Sequence, residues 1–501
     1  MNGSRAERLR DFGPVFSLVM GALAVLVGVG IAGLVWRDAV YGHRLQVDLL
    51  GPMPLLGNDV PFLFTGMTVV LVLAFAGSIA WVWLCGSFDR PALGLLAFSL
   101  FADVVPGTYQ LGLLMIVLIF VERTLRRGDA PFRLTPMVLP LALIVTSYCV
   151  TFVIAEKFAP EVPKFFFRAT YMAMVVLLPA VLRSRRQLDL LLHYVMVAAC
   201  IGVTAAIAQT ILSYVVGYPV TFHTGAYNVV VTGFGTFPRC TGLMQHPNHQ
   251  SNALSAVAVL VLWLATQPRR RLTPARRAQY AAIYVYLCIG VLITWSRSGW
   301  LALGVTSMLI PFLRWPRFIP GFLAVGGAAA VGAWTSGFAA TAYKTVHDFN
   351  ASSADFRWHI DHIAIQAFLE KPIFGQGVTQ IMNYYNPYHL QVHNSYLQAF
   401  SELGLFGVAT LLLFGCTLAW RMAERLRNAR HPADREWMIG LSLAAGITLV
   451  QNMFAMFLWI KFLWALLAIM ETSVTISRDQ DVADEPRDLA FLPVSGANHA
   501  G

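Results

Sequence analysis

Charged side chains are scarce in this sequence. Asp, Glu, Lys and Arg make up 12% of its 501 residues, whereas 57% of the residues are hydrophobic. The mean hydropathy is +0.62, a value that is not typical of soluble domains. This composition excludes a soluble globular protein and predicts an all-α polytopic membrane protein.

The sequence also lacks the cysteine spacings that are typical of disulfide frameworks and zinc sites. None of the six cysteines belongs to a CxxC pair, and all but one lie in or beside apolar segments; they are Cys85, Cys149, Cys200, Cys240, Cys288 and Cys416. Neither a disulfide framework nor a zinc site is therefore indicated. The sequence likewise has no repeat of fixed period, which excludes an array of repeated units.

The sequence lacks the features of a nucleic-acid-binding protein, although its formal net charge is +10. Its Lys and Arg residues stand between apolar segments and are not interleaved with aromatic residues, as they are on nucleic-acid-binding surfaces. We therefore expect no nucleic-acid partner. Membrane topology explains the positive charge better.

Fourteen apolar segments are candidates to cross the roughly 30 Å hydrocarbon core of a bilayer as helices. They are residues 15–36, 62–84, 91–106, 107–121, 137–155, 166–182, 188–216, 249–266, 279–296, 298–313, 318–336, 397–420, 437–453 and 455–470. The first lacks a small-residue cleavage site and is interpreted as a retained span. Because some neighbouring segments are short or nearly continuous, we expect about 12–14 transmembrane helices.

The distribution of Lys and Arg favours one orientation, because cytoplasmic loops carry an excess of these residues. With the N-terminus (1–14) inside, every strongly basic loop is cytoplasmic; these loops contain Arg123 to Arg133, Arg183 to Arg186, Arg269 to Arg277 and Arg421 to Arg435. Loop 217–249, within the transmembrane region 15–336, and loop 337–396, before the helices of 397–470, then lie on the opposite side. The polar tail, 471–501, is expected to be cytoplasmic and disordered.

The second outer loop contains a segment with helical periodicity, from Asp355 to Glu370. Its apolar residues recur at helical spacing; they are Phe356, Ile360, Ile363, Ala367 and Phe368. This spacing predicts an amphipathic helix that lies on the outer membrane surface. A helix packed on the transmembrane bundle fits the same pattern.

Four arginines on the outer side stand against the positive-inside trend: Arg168, Arg239, Arg297 and Arg357. An arginine inside a span costs at least about 2.5 to 3.5 kcal/mol on insertion scales, so each needs an anionic partner. Arginine suits phosphate, because its planar guanidinium donates two parallel hydrogen bonds and stays charged. The alternatives are pairing with carboxylates such as Asp348, Asp355, Asp361 or Glu402, or contact with lipid headgroups.

His393 is the candidate general base. Ser395 and Gln398 form a capping-box pattern, which predicts a helix that begins at Ser395 and leaves His393 and Asn394 just outside its N-terminus. The partial positive charge of that end attracts phosphate and disfavours protonation of a nearby imidazole. A neutral imidazole can accept a proton, although a histidine that only hydrogen-bonds in the loop fits the pattern as well.

Several histidines cluster in the outer loops without a metal-binding framework. His246, His249, His359 and His362 lack an accompanying set of carboxylates or cysteines, so we expect neither a metal nor another cofactor. Near the first two, Pro247 and Asn248 indicate a helix entry. Asn248 is either a helix cap or a substrate ligand.

Three of these segments together resemble the O-antigen ligase and polymerase superfamily of bacterial membrane glycosyltransferases. They are PRCTGLMQHPN, TWSRSGWLALG and the block from RWHIDHIAIQAFLEKPIFGQG to HNSYLQAFSELGLFG. Their order, spacing and sidedness agree with that superfamily. The resemblance covers about residues 200–420, and the earlier spans match only in hydropathy.

The resemblance implies a GT-C-like, metal-independent, inverting enzyme of the bacterial inner membrane. It would transfer a glycan from undecaprenyl diphosphate to an acceptor hydroxyl at the periplasmic face. By motif, His393 would activate the acceptor; the diphosphate would be held by Arg239, Arg297, Arg357 and, in addition, Arg168, with support from Asn248, Asn394 and Glu402. Membrane lipids would surround the helices.

The motifs leave the acceptor open. In a ligase the acceptor is lipid A-core, in a polymerase it is a second lipid-linked glycan, and other relatives glycosylate pilin or other proteins. The count of about fourteen spans favours a polymerase slightly, whereas the compact histidine block favours a ligase. A flippase for lipid-linked oligosaccharide has a similar number of spans, but transporters commonly contain two related halves, and no half of this sequence resembles the other. A non-catalytic assembly subunit is the third alternative.

Overall fold

The structure is a computed structural model that describes residues 89–102, 108–127, 135–154, 162–216, 229–232, 235–268, 272–337, 351–378, 380–381, 385–387, 391–429, 432–456 and 458–476. The predicted N-terminal segment 1–14, the predicted spans 15–36 and 62–84, and most of the predicted tail lie outside the described residues. So do Asp348 and the side chains of Asp355 and Phe356.

The described residues are mainly helical. The helices are α1 (Asp89–Ser99), α2 (Thr108–Arg127), α3 (Val138–Val153), α4 (Val162–Val181), α5 (Arg185–Val216), α6 (Pro247–Ala265), α7 (Pro274–Ile293), α8 (Arg297–Arg314), α9 (Ile319–Thr335), α10 (Ala351–Glu370), α11 (Ser395–Asn428), α12 (Pro432–Gln451) and α13 (Lys461–Thr475). One turn of 3-10 helix, Pro316–Phe318, joins α8 to α9. A two-stranded antiparallel hairpin, β1 (Val229–Thr232) and β2 (Gly235–Pro238), precedes α6.

Each predicted span within the described residues corresponds to one helix. The short pair in 91–121 forms α1 and α2, and the nearly continuous last pair forms α12 and α13. Three helices are long and apolar enough to cross a membrane, namely Arg185–Val215, Pro316–Thr335 and Ser395–Asn428; shorter apolar helices cover Val138–Thr151 and Arg168–Val181. The chain is a helical protein with candidate membrane spans, and the number of crossings stays a prediction.

Helix α6 is almost entirely buried among α5, α7, α8 and α12. Its neighbours approach it closely at glycines. A Cβ added at Gly299 of α8 would clash with Ser251, and one at Gly440 of α12 would come within 2.7 Å of Leu260. Small residues allow helix backbones to pack closely, as they do in membrane proteins generally, so α6 forms the centre of the bundle.

The bundle has two chemically different ends. At one, which we call the basic end, arginines of α5, α8 and α11 pair with carboxylates: Arg185 with Asp434, Arg314 with Glu436 and Arg421 with Glu471. Helix α8 has 18 residues and is about 27 Å long, so Arg297 lies at the opposite end, which we call the site end. Helices α6 and α11 also begin at the site end, since their later residues contact the basic end.

Helix α10 packs against the bundle, in agreement with the alternative interpretation of its periodicity. Ile360, Ala364 and Ala367 are buried and form a small core with Ile381 and Val392, and α10 contacts α11. The opposite face carries exposed side chains, among them Trp358, Ile365 and Leu369. The apolar spacing therefore identified the helix and the direction of its buried face.

Helix α11 is interrupted at Gly404, whose φ of 64° and ψ of −168° are not helical. The turn that follows α10 inserts its backbone into this break. The hydrogen bonds run from Gln376 N to Ser401 O (2.8 Å), Gly377 N to Glu402 O (3.0 Å), Leu405 N to Pro372 O (2.8 Å) and Phe406 N to Ile373 O (3.0 Å). They satisfy backbone groups that the break leaves without helical partners, and they fix the turn after α10 to α11.

Candidate active site

Arg239 directly follows β2 of the hairpin. The strands pair antiparallel, with Val229 opposite Pro238. The sequence analysis expected a loop in 217–249 and did not predict this hairpin, although a run of valines followed by threonine favours a strand. The hairpin delivers Arg239 to the site end, next to the start of α6.

The segment after Arg239 is held against α5 by a buried glutamine. Gln209 Oε1 accepts hydrogen bonds from the N–H groups of Thr241 at 2.9 Å and Gly242 at 3.1 Å. Gly242 has a φ of 57°, and a Cβ there would lie 2.7 Å from the carbonyl oxygen of Gly202. Glycine is therefore required at this turn, and the turn fixes the backbone from which Arg239 projects.

The guanidinium of Arg239 is anchored by neutral groups. Its Nη2 donates to Asn248 Oδ1 at 2.9 Å and its Nε donates to the carbonyl oxygen of Thr294 at 3.3 Å. Burial, and then the charges of Arg357 and Arg297, lower the pKa of Arg239 to about 10. The two other arginines are therefore close enough to repel it.

Asn248 positions Arg239 and is not the cap of α6. The cap is His246, whose Nδ1 accepts a hydrogen bond from the Asn248 N–H at 3.1 Å. The helix begins at Pro247, as the sequence predicted. The sequence analysis left open whether Asn248 is a helix cap or a substrate ligand. In the structure its side-chain oxygen accepts a hydrogen bond from Arg239.

Arg297 is the first residue of α8 and follows a tight turn from α7. Trp295 in that turn has a φ of 52°, the one positive value among the described non-glycine residues. Its ring packs between Phe237 and Trp300, with centroids 5.0 and 5.4 Å away. A cation at a helix N-terminus faces the positive end of the helix dipole, so this position favours an arginine only if an anion comes near.

Arg357 brings a third guanidinium from α10. Burial and the charge of Arg297 lower its pKa, and the carboxyl of Asp361, one turn along the same helix, opposes that shift. Neither Arg357 nor Arg239 forms an ion pair within the part of the chain that the structure describes. Four other arginines are paired with carboxylates: Arg168, Arg185, Arg314 and Arg421.

His393 lies two residues before the start of α11 and close to Arg357. Burial, and then the charge of Arg357, lower its pKa to about 4. The imidazole is therefore neutral near pH 7 and can accept a proton. No described residue forms a hydrogen bond with its ring, so both nitrogens remain available to a substrate.

Helix α11 begins at Ser395, as the capping pattern predicted, but a different residue caps it. The side-chain oxygen of Asn394 accepts from the N–H groups of Tyr396 at 3.0 Å and Leu397 at 3.2 Å. The hydroxyl of Ser395 instead contacts Asn452 Oδ1 at 2.7 Å. Asn394 thus orients the chain just after His393 and supports the site through the backbone.

Arg168 and Glu402 form a buried ion pair. Arg168 Nη1 lies 3.3 Å from Glu402 Oε2, and the guanidinium stacks over Trp459 at 5.0 Å from the ring centroid. Glu402 also accepts a hydrogen bond from Gln398 at 2.8 Å. This is the carboxylate pairing that the sequence analysis kept as the alternative to phosphate binding, and the charge partners of Arg168 do not include the other three arginines.

His246 is the site residue that the sequence analysis missed, since it was considered only as a metal ligand. Its ring centroid is 5.5 Å from that of His249, and the charges of Arg239, His393 and Arg357 act on it. Within the described residues no group of three or more His, Cys, Asp or Glu side chains could hold a metal ion. The signal that locates His246 is Pro247, which marks the start of α6 and makes the preceding residue its cap.

The arrangement combines positive charge with a neutral proton acceptor. Three guanidiniums come from three separate segments, one after β2, one at the start of α8 and one on α10. They repel one another, so an anion that binds among them gains from all three. Such a group can hold a phosphate or diphosphate beside the imidazole of His393.

One family model matches part of the chain. Residues 282–412 match the O-antigen ligase family, a segment that includes Arg297, Arg357 and His393. None of the curated proteins matches the chain. A chain from a solved structure, described as "Structural coordination of polymerization and crosslinking by a peptidoglycan synthase complex", is similar over 70% of this chain and 98% of its own, with 17% identity and a TM-score of 0.41. Nothing about function follows from so low a similarity.

Members of the matched family are membrane glycosyltransferase-like enzymes, either ligases or polymerases, with lipid-linked polysaccharide substrates and a role in surface polysaccharide biosynthesis. The motifs that suggested the resemblance lie mostly in the matched segment. Residues 282–412 of this chain are therefore similar to the O-antigen ligase family.

Proposed function

We propose that this protein transfers a glycan from undecaprenyl diphosphate to an acceptor hydroxyl at the periplasmic face of the bacterial inner membrane, as an O-antigen ligase does. The observation that carries the proposal is the convergence of Arg239, Arg297 and Arg357 beside a neutral His393. Such a group suits a substrate with a diphosphate at its reacting end.

The arginines bind the donor and stabilise the leaving group. As the bond between the anomeric carbon and the diphosphate oxygen breaks, its electron pair leaves on the diphosphate, and negative charge grows there. Fixed guanidiniums neutralise that charge without having to reorganise. Each can donate two parallel hydrogen bonds to phosphate oxygens.

His393 accepts the proton of the acceptor hydroxyl. The hydroxyl oxygen forms the new bond to the anomeric carbon from the side opposite the diphosphate, which inverts the configuration. A base with a pKa of about 4 is weak. When the diphosphate donor is bound, its negative charge offsets the positive charge of Arg357 and raises the pKa of His393. His393 then becomes a stronger base.

The sidedness of the site supports a periplasmic location. The arginine pairs of the basic end coincide with the loops that carry the excess of Lys and Arg, and Arg239, Arg297 and Arg357 lie at the opposite end. By the positive-inside rule the basic end faces the cytoplasm. The site end then faces the periplasm, and both termini are cytoplasmic; the undecaprenyl chain and the membrane lipids contact the helices between.

Transfer with purified full-length protein and lipid-linked donor tests the proposal. The His393→Ala variant should stay folded and lose about 10²- to 10⁴-fold in rate, because the general base is removed. His193→Ala is the matched control, since His193 is exposed on α5 away from the site. An active His393→Ala variant would refute the role of His393.

Arg297→Lys tests the phosphate contact in the same assay. Lysine keeps the charge but lacks the planar pair of donors, so we expect severe impairment. Arg317→Lys, at an exposed arginine beyond α8, should behave as the wild type. Equal activity of both variants would contradict a bidentate contact at Arg297.

The acceptor distinguishes the remaining possibilities. We propose lipid A-core as the acceptor, since the histidine block most resembles that of ligases. Product formed only with a second lipid-linked glycan would identify a polymerase. Movement of unchanged donor across proteoliposomes, without any transfer, would identify a flippase.

A further inference from the structure

His246 has a defined tautomer. Its Nδ1 accepts the hydrogen bond from the Asn248 N–H at 3.1 Å. A neutral imidazole has one acceptor nitrogen and one N–H, so its proton is on Nε2. The burial of the ring and the nearby positive charges of Arg239 and Arg357 keep the ring neutral, since both lower its pKa.

The Nε2–H group of His246 has no acceptor among the described residues, and Asn248, which His246 contacts, binds the guanidinium of Arg239. Arg239, Arg357 and His393 lie close enough to influence the charge of His246. An anion with hydrogen-bond acceptors complements both this donor and the positive charges around it. The imidazole also extends the N-terminus of α6, because it takes up the Asn248 N–H and presents its own N–H outward.

We propose that His246 Nε2–H donates a hydrogen bond to a phosphate oxygen of the polyprenyl diphosphate donor. This inference rests on the proposed function and adds a fourth ligand to the three arginines. The two histidines then have opposite roles at one site. His393 accepts the acceptor's proton, whereas His246, with its acceptor nitrogen occupied by the helix end, serves only as a donor to the diphosphate.

The His246→Asn variant separates this role from helix capping. Asparagine is among the best N-cap residues, so α6 keeps its cap while the imidazole N–H is lost. The probe is polyprenyl diphosphate without a glycan, and its binding to the full chain in detergent is measured. We expect a Kd about tenfold higher or more, because one hydrogen bond to a charged group is lost, and a thermal midpoint of the ligand-free protein near that of the wild type.

A matched control is Thr273→Asn. Thr273 caps α7, which also begins with a proline, by accepting from the Arg276 N–H at 3.3 Å. The Thr273→Asn variant also places an asparagine at a helix cap, but at the basic end, so it should bind the diphosphate lipid as the wild type does. His246→Asp is a second cap-retaining variant, and it should bind more weakly than His246→Asn, because its carboxylate competes with phosphate for the arginines.

The outcomes separate the inference from the proposed function. Wild-type affinity in either cap-retaining His246 variant overturns the role of His246 and leaves the proposed function intact. If the wild-type protein binds polyprenyl diphosphate no better than uncharged polyprenol, the proposed function itself fails. In the wild type, ¹⁵N-histidine spectra provide an independent check: the Nε2–H signal of His246 should shift with polyprenyl diphosphate, and an unchanged signal on saturation overturns the inference.

Discussion

Individual arginines in this protein differ according to whether a carboxylate accompanies them. Arg314 pairs with Glu436 and stacks over Trp263 at 3.4 Å from the ring centroid, and it stabilises the bundle. Arg239 has amide and carbonyl partners but no carboxylate partner among the described residues, and burial and its arginine neighbours lower its pKa to about 10. The first kind of arginine contributes to stability, and the second is the kind that we propose binds the donor diphosphate.

Replacing Arg239 should therefore separate stability from binding. Arg239→Gln removes one of three mutually repelling charges, so we expect the free energy of unfolding of the ligand-free protein to stay the same or rise by up to about 1 kcal/mol. Glutamine can still donate to Asn248. Affinity for polyprenyl diphosphate should fall at least about tenfold; thermal unfolding and lipid binding measure the two effects.

Arg314→Gln is a control for which we expect the opposite change in the free energy of unfolding. It leaves Glu436 without its cation, and breaking a buried pair costs about 3 to 5 kcal/mol. Diphosphate binding by the fraction that remains folded should not change. Marked destabilisation by Arg239→Gln would mean that Arg239 is a structural residue like Arg314.

At the scale of one element, the break in α11 determines where His393 and α10 meet. The turn after α10 contains Gly375, with a φ of 71°, and it hydrogen-bonds to α11 on both sides of Gly404. A Cβ on Gly404 would clash with the carbonyl oxygen of Ile373. Because Arg357 is carried by α10 and His393 directly precedes α11, this junction sets the geometry between the two groups.

Gly404→Ala should disrupt that junction. Alanine does not adopt the backbone conformation of Gly404, and the strain costs at least about 2 kcal/mol. We expect a lower thermal midpoint and reduced transfer, together with faster hydrogen exchange at the N–H groups of Gln376 and Gly377. Gly415→Ala, in the same helix with open space around it, should change stability by no more than about 1 kcal/mol; similar behaviour of the two variants would contradict this account.

At the scale of the whole molecule, polar pairs join helices that are far apart in the chain. Arg168 of α4 reaches Glu402 of α11, and Lys461 Nζ donates to the carbonyl oxygen of Ala102 at 3.0 Å. The ion pairs of the basic end join α5 and α8 to α12, and α11 to α13. Such pairs are costly to break inside a bundle, so they specify which helices pack together.

The Arg168–Glu402 pair can be tested by a paired substitution. Arg168→Met leaves the carboxylate of Glu402 buried without its cation, and we expect a loss of about 3 to 5 kcal/mol. The double variant Arg168→Met, Glu402→Gln removes both charges and keeps an acceptor for Gln398, so most of the stability should return. Thermal unfolding measures this recovery.

Transfer by the double variant then decides the role of Arg168. If the pair is structural, the stable double variant should transfer glycan at near wild-type rates. A stable double variant with strongly reduced donor affinity would instead support the prediction that Arg168 binds the diphosphate.

Local sequence patterns predicted much of the helical architecture. Apolar runs located each predicted span within the described residues, and helical spacing identified α10 and its buried face. Ser395 and Gln398 located the start of α11, since capping depends on a few adjacent residues. The hairpin was missed because its valines lie within a loop rich in glycine and threonine.

The sequence by itself determined the helical character of the chain, its candidate membrane spans and the histidine before a helix, because hydrophobicity and capping are local properties of the chain. The outward orientation of the arginines stays a prediction. Only the tertiary structure decided which arginines lie close to one another and which, like Arg168, are neutralised by a carboxylate. It also decided that His246 Nδ1 accepts the Asn248 N–H at the start of α6. The physical reason is that charge pairing falls off over a few ångströms, and the partners come from segments far apart in the chain.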